Sequence, residues 1–299
     1  MVKPPGDQRA TRAPTVLMLA PVLMVVVGLF GAGLGAAFLE SIGAEGANPA
    51  WTPTAEHYLA VLRDREFRAA LGLTFWIATA TTLVSTVLGI ALALILVGLV
   101  RGRQTAYVLL QVPLGIPHLA IAVGFVTLLA PSGWVARGMF ALGLIGAPSD
   151  FPALVYDGYG IGIILAYVVK EAPFVAVVSS ALLLRLDEEY LSVARTLGAS
   201  SWQQFRHVTW PLIAPGVASA ALMVFAFVFA AFDTPFLLGR PYPSMLSVVA
   251  QRRYLSIELA DRPVALAMAL IMTALAASVV WAYVRMPGSS LGRERPAVF

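Results

Sequence analysis

The chain contains no cysteine, so it forms no disulfide and offers neither a thiolate metal site nor a thiol nucleophile. Lysine is nearly absent: Lys3 and Lys170 are the only two, and arginine supplies the rest of the basic charge behind a net +4. Neither lysine stands in the Gly-Lys-Ser/Thr setting of a phosphate-binding loop, which excludes the usual ATP-hydrolysing apparatus from this chain. His57, His118 and His207 show no metal-ligand spacing, and no histidine and carboxylate are placed to activate a serine or threonine. We therefore expect no catalytic, cofactor-binding or metal-ligating residue, and a protein that is not an enzyme. Charge itself is scarce, at 12% of residues against about 25% in soluble domains. The arginines are scattered among polar segments, which speaks for membrane topology rather than for nucleic-acid binding.

What is present is apolar. Hydrophobic residues make up 59% of the chain and the mean hydropathy is +0.83. About 20 consecutive apolar residues cross a bilayer core. Six segments qualify, at 15–38, 69–100, 105–130, 158–184, 212–238 and 263–284. The expected fold is an all-α integral membrane protein with six transmembrane helices. Lys3, Arg9 and Arg12 precede the first run, as in a signal peptide, but that run is too long for a signal core and reads as an uncleaved span. The excess of Lys and Arg falls on the side holding Arg101, Arg195 and Arg285, which puts both termini inside. The chain then divides into a cytoplasmic tail over 1–14, the first span, a periplasmic loop over 39–68, a five-helix core over 69–284 and a cytoplasmic tail over 285–299. The loop carries Pro49, Trp51 and Pro53 and an amphipathic helix near 55–62.

Between the fourth and fifth spans lies a polar segment with the signals of two short helices. Asp187 is an N-cap candidate, with Glu188 and Glu189 in the first turn, where carboxylates favour the positive end of the helix dipole. Tyr190, Val193, Ala194 and Leu197 follow at i, i+3, i+4 and i+7 and make one apolar stripe. Arg195 in the last turn and Gly198 beyond it are end signals. Ser200 with Gln203, or Ser201 with Gln204, offers a capping box for the second helix, which carries Trp202 and Phe205. Pro211 and Pro215 bracket the entry to the fifth span. Such an elbow, at 187–211 on the cytoplasmic side, reads as a surface presented to a partner.

Lys170 and Glu171 sit near the middle of the fourth span, where charge is expensive and marks a cavity or a pair. We expect Lys170 to pair with Asp233 and to lock helix packing. His118 reads as a packed polar group with no functional role. Pro113 and Pro117 should kink the third span, and Pro173 the fourth. Gly31/Gly35 and Gly158/Gly162 have the spacing that permits close helix contact.

Ser192-Val193-Ala194, then Gly198, then Val208, Trp210 and Pro211 match the spacing of the signature EAA-x3-G-x9-I-x-L-P. On these residues the chain resembles the permeases of type I ABC importers, the inner-membrane components of binding-protein-dependent transport systems. The resemblance runs from about residue 67 to 284 and is nearest in style to polyamine-type uptake permeases. The chain departs from the signature at Ser192, where the family has glutamate, and at Trp210, where it has leucine; Glu188 and Glu189 are the carboxylates nearest to stand in.

The resemblance implies a cytoplasmic coupling helix between spans 4 and 5. Its docking residues would be Tyr190, Val193, Ala194, Arg195, Leu197, Gly198, Ala199 and Ser200. It implies as partners two cytoplasmic ATPase subunits, a second permease subunit (identical or related), a periplasmic or lipid-anchored solute-binding protein and membrane lipid, with no nucleic acid. The translocation path would run between the two permeases, which makes Glu171 and Asp233 candidate path residues. The cargo would be a polyamine or another small solute. The competing reading is a secondary transporter driven by an ion gradient. That reading wants an internal repeat and a set of midplane charges, and the sequence shows neither.

Overall fold

The structure is a computed structural model that describes residues 12–44, 53–99 and 103–285. Most of both expected tails, with Lys3 and Arg9, lies outside these residues, as do Pro49, Trp51, Arg101 and the side chain of Glu188. The described residues contain helices and no strand. They divide into two compact units: those before Asp64 together with Arg252–Leu270, and Asp64–Gln251 together with those from Ile271 onward.

In the first unit, α1 (Arg12–Ser41) is apolar along its length, and the stretch Met18–Ser41 is long enough to cross a membrane. α2 (Glu56–Arg63) is the amphipathic helix expected near 55–62. It is tied to the end of α1 by a 2.7 Å hydrogen bond between the Ser41 and Tyr58 hydroxyls and by the amide of Thr54, which donates to the carbonyl of Ile42.

The second unit begins at Asp64, whose carboxylate caps α3 (Arg65–Gly98) by accepting from the amide of Glu66 at 2.8 Å. α3 is about 51 Å long at 1.5 Å per residue, well beyond a hydrocarbon core of about 30 Å, so it tilts or emerges at one end. Because α1 runs to Ser41 and α3 starts at Arg65, the first loop is shorter than the expected 39–68.

The third span departs most from expectation. The apolar run at 105–130 is two helices, α4 (Arg103–Gly115) and α5 (His118–Leu129), followed by a short α6 (Trp134–Ala141). Pro117 has no amide hydrogen to continue α4, and it biases Ile116 away from helical angles, so the chain breaks rather than kinks. At about 20 Å and 18 Å, neither α4 nor α5 alone crosses the core. The stretch that qualifies as a span is His118–Ala141.

α7 (Ile161–Leu183) is the centre of the unit, with 56% of its hydrophobic window buried, and it continues as a helix through Pro173. It packs along α3 at unusually close range at Gly89. A Cβ built there would lie 2.6 Å from Cβ of Val175, so only glycine lets the two helices approach this far. Of the expected GxxxG pairs, a Cβ built at Gly31 or Gly35 would meet no other part of the chain within 4 Å, while Gly162 packs under the Leu154 carbonyl.

After α8 (Glu188–Thr196) and α9 (Ser201–Gln204) comes α10 (Trp210–Ala230), the fifth span. It ends at Ala230 rather than at 238, and α11 (Asp233–Leu238) forms a separate turn packed against α5 and α7. The amide of Leu246, first residue of α12 (Leu246–Tyr254), donates to Thr74 of α3 at 2.9 Å. α13 (Asp261–Arg285) is the last span. The core gathers Ile77, Tyr167, Val175, Val224, Phe229 and Leu238, with Phe75 set edge-on to Phe229 at 4.9 Å between centroids. Many apolar side chains remain exposed, as a surface solvated by lipid tails requires.

Candidate functional site

The elbow is built almost wholly from cap chemistry. Asp187 occupies the N-cap of α8 with extended backbone angles, but its side chain makes no capping bond. At the other end, Gly198 has φ +80°, the left-handed region that other residues enter at a cost. Its amide donates to the carbonyl of Arg195 at 2.9 Å, and the amide of Ala199 donates to that of Ala194 at 3.0 Å. This pair of bonds closes α8 as a Schellman motif. Ser200 caps α9 at once: its amide donates to Gln203 Oε1 at 2.8 Å, and its hydroxyl accepts from the amide of Gln203 at 3.4 Å. Of the two boxes open in the sequence, the chain uses Ser200 with Gln203. Only Ala199 separates the two motifs, and its carbonyl accepts from Gln204 Nε2 at 2.8 Å, so the corner has no slack.

The second helix runs directly into the fifth span. Residues Phe205–Thr209 form a π-turn, in which the amide of Trp210 donates to the carbonyl of Phe205. The wider turn lies directly before Pro211, which has no amide to donate, and leads α9 straight into α10. Trp202 stacks on Phe205 at 5.8 Å, and Phe205 lies beside Trp210 at 6.3 Å, which lines the outside of this entry with aromatic rings.

The apolar stripe of α8 stands mostly in the open. Leu197 is 81% exposed, Tyr190 58% and Val193 54%. Ala194 is the exception: it is buried, so it packs under the elbow rather than belonging to the exposed face. Arg195, Gly198 and Ser200 are exposed and Ala199 is half-buried. Ser192, at the position of the signature's glutamate, turns back on its own helix and donates to the carbonyl of Glu189 at 2.8 Å. Burying Tyr190, Val193 and Leu197 against a partner is worth about 1.5–3 kcal/mol for each large side chain.

The intramembrane charges are arranged otherwise than expected. Lys170 is not paired with Asp233: its ammonium donates to the carbonyl of Ile116, at the break between α4 and α5. Glu171, nearly buried, meets His118 at 3.3 Å between Oε1 and Nε2. The imidazole also lies against the Phe227 ring, 4.7 Å between centroids. His118 is thus a member of the charged cluster; its place directly after Pro117, at a helix start, was the available signal. Around the cluster lies a cleft of about 370 Å³ lined by Leu114, His118, Lys170, Glu171, Phe174, Met223, Val224 and Phe227. Asp233 does not line this cleft; it is exposed on the first turn of α11.

Among the described residues six helices are long and apolar enough to cross a membrane, with a capped elbow between the fourth and fifth, and these features define a multi-span membrane protein. Residues 85–286 match the family described as binding-protein-dependent transport system inner membrane component, and the chain belongs to that family. It is a permease of an ABC importer, located in the inner membrane, and this sets aside the ion-gradient alternative. The trehalose transport system permease protein SugA of Mycobacterium tuberculosis is 28% identical over 242 residues, which cover 78% of this chain and 75% of SugA. The thiamine transport system permease protein ThiP of Escherichia coli is 28% identical over 191 residues, 63% of this chain and 34% of ThiP. Among solved structures, a chain of a bacterial alginate ABC transporter in complex with alginate pentasaccharide-bound periplasmic protein superposes with a TM-score of 0.72 at 20% identity, covering 93% of this chain and 98% of that one. At that identity the likeness speaks for the fold.

Proposed function

We propose that this permease is half of a translocation pathway and that its elbow docks a separate cytoplasmic ATPase. The observation that carries this reading is the face made by Tyr190, Val193 and Leu197. It is apolar and exposed, it is held by back-to-back cap motifs, and it sits at the spacing of the family signature. A loose loop would absorb a push, whereas this corner passes it on as a rigid-body movement. Two permeases, identical or related, line one path and two ATPases engage their elbows. Closure of the ATPases brings the elbows together and opens the path outward, and hydrolysis resets it. Both termini lie in the cytoplasm, with 1–14 and 285–299 as tails and 39–68 on the periplasmic side. This chain contributes no chemistry of its own.

A periplasmic or lipid-anchored binding protein delivers the cargo, a reading supported by the alginate transporter's complex with a pentasaccharide-bound periplasmic protein. The cargoes in the relatives' names, trehalose and thiamine, share little chemistry, so family membership leaves the cargo at a small solute. Glu171 and Asp233 as path residues favour a cation such as a polyamine, and Lys170 opposes one.

Affinity purification of the tagged chain from its native membrane tests the docking. An ATP-binding-cassette ATPase should copurify, and Leu197→Glu should lower its recovery about tenfold, because a carboxylate would be buried at an apolar contact. Since Leu197 is 81% exposed, the substitution leaves the chain's own packing intact. Equal recovery with Leu197→Glu, or ATPase-independent transport by the purified chain, contradicts the proposal.

A further inference from the structure

The break in the third span leaves two helix ends inside the membrane region. α4 ends at Gly115, where the amide of Ile116 donates back to the carbonyl of Pro113, and this is the negative end of a helix dipole. α5 begins at His118 without a side-chain cap, the positive end of another. Two consecutive residues of α7 answer them. Lys170 donates to the carbonyl of Ile116 on the α4 side, and Glu171 holds the imidazole of His118 on the α5 side at 3.3 Å. The cation faces the negative end and the carboxylate faces the positive end. This accounts for a Lys-Glu pair in a span where either charge alone is costly.

We propose that Lys170, Glu171 and His118 form a clasp that fixes the angle between α4 and α5, and that α7 is the limb through which elbow movement reaches the break. The three are positioning residues for transport. The inference rests on the docking reading above. From Lys170 to the end of α7 at Leu183 is about 20 Å of helix. Four residues, 184–187, then join α7 to α8. The other limb of the elbow, the continuous helix from α9 through the π-turn at Phe205–Thr209 into α10, carries neither Lys170 nor Glu171. A tilt of α7 therefore moves both prongs of the clasp together and drags α4 and α5 by their facing ends. The cleft of about 370 Å³ beside His118 and Phe227 is the room into which α5 moves.

The chain has no cysteine, so paired spin labels can be placed without removing any native residue. Leu109 on α4 and Val123 on α5 are exposed and flank the break. In the complete complex with its ATPase and binding protein in liposomes, trapping with ATP and vanadate should change the distance between labels at Leu109→Cys and Val123→Cys. Lys170→Met should remove that change and lower uptake about tenfold or more, the loss expected of a charge-assisted hydrogen bond. ATPase copurification and basal hydrolysis should persist in this variant. Lys170→Arg, which can still donate to Ile116, should restore both the distance change and uptake. A role in packing alone would lower the amount of complex without separating these readouts. A normal distance change and normal uptake in Lys170→Met overturn the clasp, as does a wild-type complex that transports without any change across the break. Failure of the docking reading is distinct: the ATPase is then missing from the purified material in wild type and variant alike.

Discussion

Gly198→Asp inserts normally, keeps ATP hydrolysis and loses cargo uptake by about two orders of magnitude, the effect expected of an unpaired carboxylate buried at an apolar contact. Two penalties meet at this position. The backbone stands at φ +80°, which costs an L-residue about 1–2 kcal/mol, although aspartate bears it better than most. A Cβ there meets no atom within 4 Å, so crowding inside the chain contributes nothing. The larger penalty is the charge, placed next to Leu197 on the face we assign to the ATPase. Gly198→Asn separates the two terms, because asparagine tolerates the left-handed region and brings no charge. Uptake and hydrolysis by reconstituted complexes, normalised to the amount of permease in the membrane, provide the readout. Gly198→Asn should retain most uptake. If both variants fail equally, the elbow's shape rather than its contact chemistry is at stake.

Gly89→Leu gives the largest loss of stability. The first side-chain atom would fall 2.6 Å from Cβ and 2.7 Å from Cγ1 of Val175, and 3.0 Å from the carbonyl oxygen of Ala172. Carbon atoms rest at about 3.5–4 Å, so α3 and α7 must part along their whole contact. Overpacking of this kind costs about 1–3 kcal/mol or more. Since α7 is the most buried span, the damage spreads through the unit. Thermal unfolding in detergent should show a clear drop in midpoint and a reduced yield. Gly124→Ala is the control, because a Cβ there meets nothing within 4 Å. A smaller residue at 175 should return part of the loss in Gly89→Ala, a coupling that a double-mutant cycle measures. An unchanged midpoint in Gly89→Leu would mean that the two helices do not touch there.

The parts of this protein legible in its sequence were those written in short-range patterns. The apolar runs located the first, second, fourth and sixth spans to within a few residues at each end. The elbow was legible in outline, because caps act over three or four positions: Gly198 as the end of α8 follows from local chemistry, while Ser200 with Gln203 was one of two boxes the sequence left open. The third and fifth spans were misjudged for one reason. Apolar composition continues past the point where the helix stops, through Ile116–Pro117 in one and beyond Ala230 in the other. Lipophilicity says what can lie in a membrane, not where the hydrogen-bond ladder ends. Long-range pairing was the least accessible. Lys170 and Ile116 are 54 positions apart, and no linear signal distinguishes a backbone carbonyl from Asp233 as the partner of a mid-span ammonium. Ala194 fell on the predicted stripe yet is buried, because a stripe of four residues is wide enough for its edge to turn toward the bundle.

The central claim is that the exposed corner of α8 meets an ATPase. A single cysteine at Leu197, in a chain that has no other, lets a short bifunctional maleimide reagent act in intact membranes. The account predicts a covalent adduct between permease and ATPase that weakens or strengthens when nucleotide is added. Adducts only to lipid or within the permease, at saturating reagent and with the ATPase present, contradict it.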